Sequence, residues 1–259
     1  MSTVLIDADI VVYQVAAGGE KTVNFDYDTV VAWADLDQLI DVSINMITEI
    51  QKDTNCNDVI LCFSDNQNFR KKILETYKGN RAGTRKPIAY SGLKKKLSSC
   101  FDSYQKPSLE GDDLLGILAT HPDIVEGKKD IYSQDKDLKQ IPGRHFNIKE
   151  KVMEDISEED GDKFHYIQTL SGDRTDNYFG CPGIGPKRAE TLLNKSDDPW
   201  SAIVGAYEKA GLTEKDALVQ AQVAKICRHT EYNFATRKPI LWKPTISSMS
   251  HKESLITAT

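Results

Sequence analysis

Three aspartates of this chain each follow a short run rich in β-branched and other apolar residues. Asp7, Asp65 and Asp135 come directly after residues 4–6, 59–64 and 131–134. Each run has the length of a buried strand, and helical patterns lie between the runs, so the sequence predicts a parallel sheet. Ligands of such sheets bind at the carboxyl ends of the strands, where the three aspartates should meet. Their mutual repulsion favours a bound divalent metal ion.

Further carboxylates occur in pairs elsewhere, and the full set of candidate metal ligands is Asp7, Asp65, Glu110, Asp112, Asp113, Asp135, Asp137, Asp173 and Asp176. Each motif has an ordinary explanation, because acids suit the first turn of a helix and Asp is a common N-cap. Their recurrence in four separate segments favours one shared site. Oxygen ligands without His or Cys indicate Mg²⁺, with Mn²⁺ as a substitute. Nine acids exceed the needs of one ion, so we expect two ions, the arrangement typical of phosphodiester hydrolysis.

A basic segment begins just after Asp65. Ten basic residues and one acid lie between residues 70 and 96, although the whole chain carries 33 basic and 39 acidic residues. Without the nine candidate ligands only 30 acids remain, so the net charge of -6 does not argue against a nucleic-acid partner. Lys78 and Arg81 are spaced to share one face and could clamp the scissile phosphate. A solvated basic face is the alternative.

A glycine-rich turn follows further along the chain, at residues 180–188. Gly183 and Gly185 precede Pro186, which suits the first turn of a helix, and Lys187 and Arg188 follow it. Backbone N–H groups and two cations at such a turn are suited to a DNA backbone phosphate. The alternative is a plain helical hairpin.

The elements that must position these groups divide the chain into three parts. Residues 1–155 predict an α/β core that includes the basic segment at about 69–96, residues 156–235 a helical region, and residues 236–259 a flexible tail. Besides the three strands we expect a hairpin within 18–34, a strand at 146–148, and helices at 35–52, 93–101, 111–120, 157–171, 186–195, 199–210 and 213–230.

Composition excludes several classes of protein. No apolar stretch approaches the roughly 18 residues needed to span a membrane, and the chain enters a strand at once without a secretion signal. Five scattered cysteines without a Cys-x-x-Cys pair indicate thiols in a reducing compartment and no zinc site. We therefore expect a cytoplasmic protein.

The motifs together resemble the flap endonuclease and 5′→3′ exonuclease superfamily, particularly its short phage-encoded exonucleases. Seven motifs in the same order carry the resemblance over residues 3 to about 195: Leu5-Ile-Asp7-Ala-Asp9, Phe63-Ser-Asp65, Phe69-Arg-Lys71 with Tyr77-Lys78-Gly-Asn-Arg81, Glu110-Gly-Asp112-Asp113, Ser133-Gln-Asp135-Lys-Asp137, Gly172-Asp173-Arg-Thr-Asp176, and Gly180-Cys-Pro-Gly183-Ile-Gly185-Pro-Lys187-Arg188.

This resemblance implies a PIN-like core with a central, mainly parallel sheet flanked by helices, and a helix–three-turn–helix element that binds duplex backbone. The nine carboxylates stand at the family's metal positions. Asp112, Asp135 and Asp137 would hold ions most directly, Asp176 would serve the second ion, and Asp7 and Asp65 would act partly through water. Lys78 and Arg81 stand where the family activates phosphate. The expected DNA-binding residues are Tyr77, which could stack on a terminal base, Arg70, Lys71, Gly183, Gly185, Lys187 and Arg188; Asp9 is given only an outer role.

The implied activity is a metal-dependent 5′→3′ exodeoxyribonuclease on double-stranded DNA, releasing 5′-phosphorylated products. Flap cutting and removal of RNA from RNA–DNA hybrids are expected companions, in phage DNA replication, recombination or host DNA degradation. The segment between Tyr77 and Glu110 is shorter than the arch of flap-cutting relatives, which favours duplex 5′ ends or nicks over long flaps. The alternatives are a PIN-type RNase and a DNA-junction binder without activity.

Overall fold

A computed structural model describes residues 1–26 and 29–244 of the chain. Its strands are β1 (Ser2–Asp7), β2 (Lys21–Asn24), β3 (Val30–Trp33), β4 (Asp58–Cys62), β5 (Asp102–Tyr104), β6 (Lys128–Tyr132), β7 (Gly143–Asn147), β8 (Val152–Ile156), β9 (Tyr232–Asn233) and β10 (Lys238–Pro239). Six of them form one sheet in the order β5-β4-β1-β6-β7-β8. All neighbours in that sheet are parallel except β7 and β8, so the prediction of a mainly parallel sheet is confirmed.

Helices cover both faces of the sheet and form a region of their own after it. They are α1 (Ala8–Gly19), α2 (Leu36–Thr54), α3 (Tyr90–Cys100), α4 (Gly111–Thr120), α5 (Glu158–Ser171), α6 (Pro186–Leu193), α7 (Pro199–Lys209) and α8 (Glu214–Ala224). Val4 and Ile6 of β1 pack with α1, α2 and α3, whereas Leu5 between them packs with α4 on the other face. This alternation is the two-residue period of a strand buried on both faces.

The predicted elements agree with the structure in kind and differ mainly at their ends. Strands β2 and β3 form the predicted hairpin, whose residues 27–28 lie outside the described ranges. The strand predicted at 131–134 ends at Tyr132, because the Ser133 hydroxyl accepts a hydrogen bond from the Asp135 N–H in a tight turn. The short strand β5 and the edge strand β8 were not predicted.

Two differences concern the C-terminal part. The helix predicted at 213–230 ends at Ala224, and the chain after it is extended. The tail predicted to be flexible from residue 236 is partly ordered, since Lys238–Pro239 pairs with Tyr232–Asn233 and the Trp242 ring lies 5.2 Å from that of Trp200. Residues 245–259 lie outside the described part of the chain. No helix among the described residues is long and apolar enough to cross a membrane.

Candidate active site

A cleft of about 660 Å³ opens at the carboxyl edge of the sheet. Its lining contains both acidic and basic side chains. The acidic residues, called the acidic wall, are Asp7, Asp9, Glu110, Asp112, Asp135 and Asp176, and the basic ones are Lys78, Arg81, Arg85 and Lys86. A cleft lined by both kinds of charge can hold cations and also anions such as phosphate.

The fold brings the acidic wall together from distant segments. Asp7 ends β1, and Asp135 lies just beyond β6, the parallel neighbour of β1, with Ile6 opposite Tyr132. Asp112 lies in the first turn of α4, whose N-terminus points at the same edge. The strand-end aspartates Asp7 and Asp135 therefore meet as the sequence predicts.

The acidic wall carries more negative charge than its surroundings compensate. Burial, with Asp9 and Asp135 nearby, raises the pKa of Asp7 from its usual 3.8 to about 7. Burial, together with Asp7 and Asp135, also raises the pKa of Asp112 well above its ordinary value. Mutual repulsion of this kind is what a divalent cation relieves.

The donor set of the wall fits a hard cation. All its acidic groups are carboxylates, and Mg²⁺ and Mn²⁺ prefer oxygen ligands of this kind. Within residues 1–26 and 29–244, no group of three or more His, Cys, Asp or Glu side chains forms a ready-made metal site. Some carboxylates of the wall face cations of the chain itself instead.

Lys78 and Arg81 supply these cations. Lys78 pairs with Glu110, and Arg81 donates to Asp176 at 2.6 Å. Burial would lower the pKa of Lys78, but Glu110 and Asp176 more than offset it and raise that pKa. Burial would likewise raise the pKa of Glu110, but Lys78 and Arg70 hold it at about 2. Both groups therefore stay charged at neutral pH.

Two further predicted ligands, Asp137 and Asp173, lie beside the cleft and do not line it. Burial, Asp135 and Asp173 raise the pKa of Asp137 to about 7. Burial opposes ionisation of Asp173 as well, but a hydrogen bond from Lys136 and backbone N–H groups lower its pKa. The Lys136 ammonium lies 3.2 Å from Asp173 and is mostly exposed.

Asp113, predicted as a metal ligand, does not line the cleft in the structure. Its side chain is fully buried and accepts two hydrogen bonds from Arg70, each 2.8 Å long, and one from the Cys227 N–H at 3.0 Å. It also accepts from the Glu110 N–H and so completes the N-terminal cap of α4. These donors occupy the carboxylate, which faces away from the cleft.

Arg70, predicted as a DNA contact, is likewise occupied by partners within the protein. The guanidinium is buried, and beyond Asp113 it donates to Glu110 and to the carbonyls of Val223 and Lys225. Lys71, the next residue, is exposed. Of this adjacent pair, Lys71 is the residue that DNA could reach.

Tyr77 cannot stack on a base in this structure. Its side chain is 3% exposed, and its hydroxyl lies 2.9 Å from both Glu110 and Asp176. Two tyrosines line the cleft, Tyr13 and Tyr90, and Tyr13 is the exposed one, at 48%. Tyr13 was not predicted, although its position four residues after Asp9 on a helix was a usable signal.

Asp9 lies closer to the cleft than the sequence predicts, and Asp65 lies further from it. Asp9, expected only in an outer role, lines the cleft and accepts from the Ser64 N–H at 2.6 Å and the Tyr90 hydroxyl at 2.7 Å. Asp65 lies next to the cleft, but its carboxylate turns to the Ser108 N–H at 2.8 Å, which lowers its pKa. The end of β4 thus contributes Ser64 to the cleft lining, while Asp65 lies beside it.

The glycine-rich turn connects α5 to α6. Gly183, Gly185, Lys187 and Arg188 are all exposed there, and Gly183 has a φ of +75°, a conformation that favours glycine. Pro186 begins α6, as the sequence predicts. The turn presents backbone and two cations to solvent, and its contact with DNA stays a prediction.

Comparisons with known proteins point to one family. A family described as the N-terminal resolvase-like domain of 5′-3′ exonucleases matches residues 3–165. The chain is 30% identical to the exonuclease of Escherichia phage T7, with 93% of both chains covered. It is 29% identical to the exodeoxyribonuclease of Enterobacteria phage T3, over 93% of this chain and 92% of the relative.

A solved structure shares the fold. The T5 D15 protein co-crystallised with metal ions superposes with a TM-score of 0.67, over 87% of this chain and 90% of the other, at 14% identity. At that identity the likeness concerns the fold. It agrees with the central sheet and flanking helices described above.

Proposed function

This chain belongs to the 5′-3′ exonuclease and flap endonuclease family of nucleases, and we propose that it is a metal-dependent 5′→3′ exodeoxyribonuclease acting on double-stranded DNA. The observation that carries the proposal is the cleft whose lining combines the acidic wall with Lys78 and Arg81. Phosphodiester hydrolysis needs cation sites and a phosphate clamp side by side. The cleft has residues suited to both.

The acidic wall would hold two Mg²⁺ ions, through Asp7, Asp112 and Asp135, with Asp137 and Asp176 beside them. Mn²⁺ would substitute. When bound, such ions supply an activated water and stabilise the departing 3′ oxygen. The raised pKa values of Asp7 and Asp112 support this assignment, and the T5 D15 neighbour crystallised with metal ions is consistent with it.

The chain's own residues would orient the substrate and offset its charge. Lys78 and Arg81 would neutralise charge that grows on the phosphoryl oxygens in the transition state. They pair with Glu110 and Asp176 in the structure, so they already lie beside the acidic wall. Tyr13 would offer its exposed ring to the terminal base, the role first expected of Tyr77.

Helices α5 and α6 and the glycine-rich turn between them would form a helix–three-turn–helix element. This element would bind duplex DNA outside the cleft. Gly183 and Gly185 would let the backbone approach a phosphate, and Lys187 and Arg188 would add charge. A T5 D15 flap endonuclease neighbour has been solved with DNA and metal ions, which supports DNA as the substrate class. The contact between DNA and the glycine-rich turn would be independent of DNA sequence and sensitive to salt.

The preferred substrates would be duplex 5′ ends and nicks, with shorter flaps also cut. The short segment between Tyr77 and Glu110 supports this preference. RNA paired to DNA would be a secondary substrate, as in primer removal. Acting in the cytoplasm of an infected bacterial host, the enzyme would serve phage DNA replication, recombination or degradation of host DNA.

Digestion of duplex DNA labelled at the 5′ or the 3′ end tests the proposal, in Mg²⁺ and in EDTA. Early release of 5′-labelled mononucleotide, only with Mg²⁺, is expected. Asp135→Ala should abolish cutting but keep duplex binding in Ca²⁺, whereas the exposed Asp155→Ala serves as the matched control. Cutting that survives Asp135→Ala would overturn the metal assignment, and failure to cut any duplex would favour an RNase or a DNA binder without activity.

A further inference from the structure

One segment, residues 223–227, comprises the last two residues of helix α8 and the extended chain that follows them. Its backbone groups bond to side chains from three other parts of the chain. The carbonyls of Val223 and Lys225 accept from Arg70, the Ala224 carbonyl accepts from Gln140, the Ile226 N–H donates to Gln140, and the Cys227 N–H donates to Asp113. These contacts explain why helix α8 ends at Ala224, since helical backbone could not offer the same groups.

Gln140 is hydrogen-bonded to Gln168, and Gln168 is hydrogen-bonded to Asp137. The Gln140 amide nitrogen donates to the Gln168 carbonyl oxygen, and the Gln168 nitrogen donates to an Asp137 carboxylate oxygen at 2.8 Å. Gln140 is 1% exposed and Gln168 is 5% exposed. The two amides thus form a buried chain of hydrogen bonds from the segment to Asp137.

The direction of every bond in this chain follows from chemistry. The Ala224 carbonyl only accepts and the Ile226 N–H only donates, which fixes the orientation of Gln140, so Gln168 must present its oxygen to Gln140 and its NH₂ group to Asp137. Gln140 must then donate from its own NH₂ group, whose second hydrogen reaches the Ala224 carbonyl at 2.7 Å. Its oxygen remains for the Ile226 N–H at 3.0 Å. Flipping either amide would leave buried groups without partners.

We propose that Gln168 is a positioning residue that holds Asp137 ready for a metal ion, with Gln140 and the segment of residues 223–227 fixing Gln168. This inference rests on the proposed metal-dependent function. Asp137 lies among like charges, Asp135 and Asp173, which repel its carboxylate. A neutral amide can hold that carboxylate without cancelling its charge, whereas a lysine would compete with the ion. Gln168 and the segment lie beyond residue 165, where the family match ends.

The test is Ca²⁺ affinity measured by isothermal titration calorimetry, with Gln168→Met as the main variant. Loss of an outer partner of a metal ligand typically weakens metal affinity about 10- to 100-fold. We expect a loss of at least about 10-fold for Gln168→Met. Gln222→Met is the matched control, because Gln222 also donates from its amide, to the Trp242 carbonyl at 3.1 Å, yet has no bond to a carboxylate. It should bind Ca²⁺ like the parent.

A double-mutant cycle separates positioning from general damage. If Gln168 acts through Asp137, then Gln168→Met should cost little further affinity in an Asp137→Asn background. Additive losses would overturn the proposal. Gln168→Asn, whose amide is one methylene too short to reach Asp137, provides a second variant should Gln168→Met fail to fold. Unchanged Ca²⁺ affinity in folded Gln168→Met or Gln168→Asn would also overturn it. Absence of Ca²⁺ binding by the parent would instead count against the proposed function itself.

Discussion

Asp112 and Asp113 are neighbours in the first turn of α4, and the structure uses them in opposite ways. Asp113 turns inward and accepts hydrogen bonds from Arg70 and from the backbone of Cys227. Asp112 turns to the cleft, where burial, Asp7 and Asp135 raise its pKa. Identical residues one position apart are thus divided between holding the fold together and supplying charge to the site.

The same division runs through the whole region. Behind the cleft, acids are matched by cations of the chain, as in the pair of Arg70 and Asp113. Inside the cleft, Asp7, Asp112 and Asp135 face one another, and the repulsion is left uncompensated. A paired acid supports structure, and an unpaired buried acid is costly unless a ligand uses it. The comparison can be tested from both sides.

Removing the paired acid Asp113 should have the largest effect on the free energy of unfolding. Asp113→Ala leaves the Arg70 guanidinium buried without its main partner and removes a cap of α4, so we expect a loss of about 3–5 kcal/mol in the free energy of unfolding. Urea unfolding followed by circular dichroism measures it. The exposed Asp155→Ala should lie within about 0.5 kcal/mol of the parent. A comparably small loss for Asp113→Ala would contradict the structural role.

Removing one of the unpaired acids of the cleft should stabilise the folded protein when no metal ion is bound. An acid whose folded pKa is raised binds protons more tightly when folded, so in EDTA the stability should fall as pH rises from about 4 to about 7. Asp112→Asn should reduce this fall and be more stable than the parent at pH 8, because it removes a buried charge close to Asp7 and Asp135. Urea midpoints across pH measure it, and equal pH dependence in both proteins would contradict the prediction.

Ionised Glu110 should stabilise the folded protein, and this contribution should be lost at low pH. Its pKa is held at about 2, below its usual 4.5, so it contributes stability above pH 4.5 that is lost as pH falls towards 2. This loss accompanies protonation of a paired acid, whereas the fall between pH 4 and 7 comes from acids facing one another. The two limbs of the same titration therefore report on the two kinds of carboxylate.

The smallest change in stability is expected at Lys71, which belongs to neither the paired nor the unpaired acids. This exposed side chain should change stability by no more than about 0.5 kcal/mol when replaced by Ala. Duplex binding in Ca²⁺ should nevertheless weaken, with the slope of log affinity against log salt reduced by about 1, as for one lost phosphate contact. Fluorescence anisotropy across salt concentrations measures this. An unchanged slope would mean that neither residue of the Arg70–Lys71 pair meets DNA.

Local pattern was enough to predict most of the fold and part of the site. Apolar runs ending on Asp7 and Asp135 predicted strands whose ends meet, because parallel neighbours present their carboxyl ends at one edge. The start of α4 at Gly111 and of α6 at Pro186 followed from capping acids and from proline at a first helical turn. These features depend on residues close together in sequence.

Side-chain direction and burial were decided by tertiary structure. The sequence alone could not show which of Asp112 and Asp113 faces the cleft, because the groups that occupy Asp113 come from Arg70 and from Cys227, 114 residues away. Nor could it show that Tyr77 is buried beneath Glu110, or that the chain leaves helix α8 after Ala224, where the backbone of residues 223–227 bonds Arg70 and Gln140. The order of acids along the chain determined where charge gathers. Partners from distant segments determined which charges are neutralised and which remain for the site, because the cation that pairs with a buried acid, as Arg70 does with Asp113, lies far from it in the sequence.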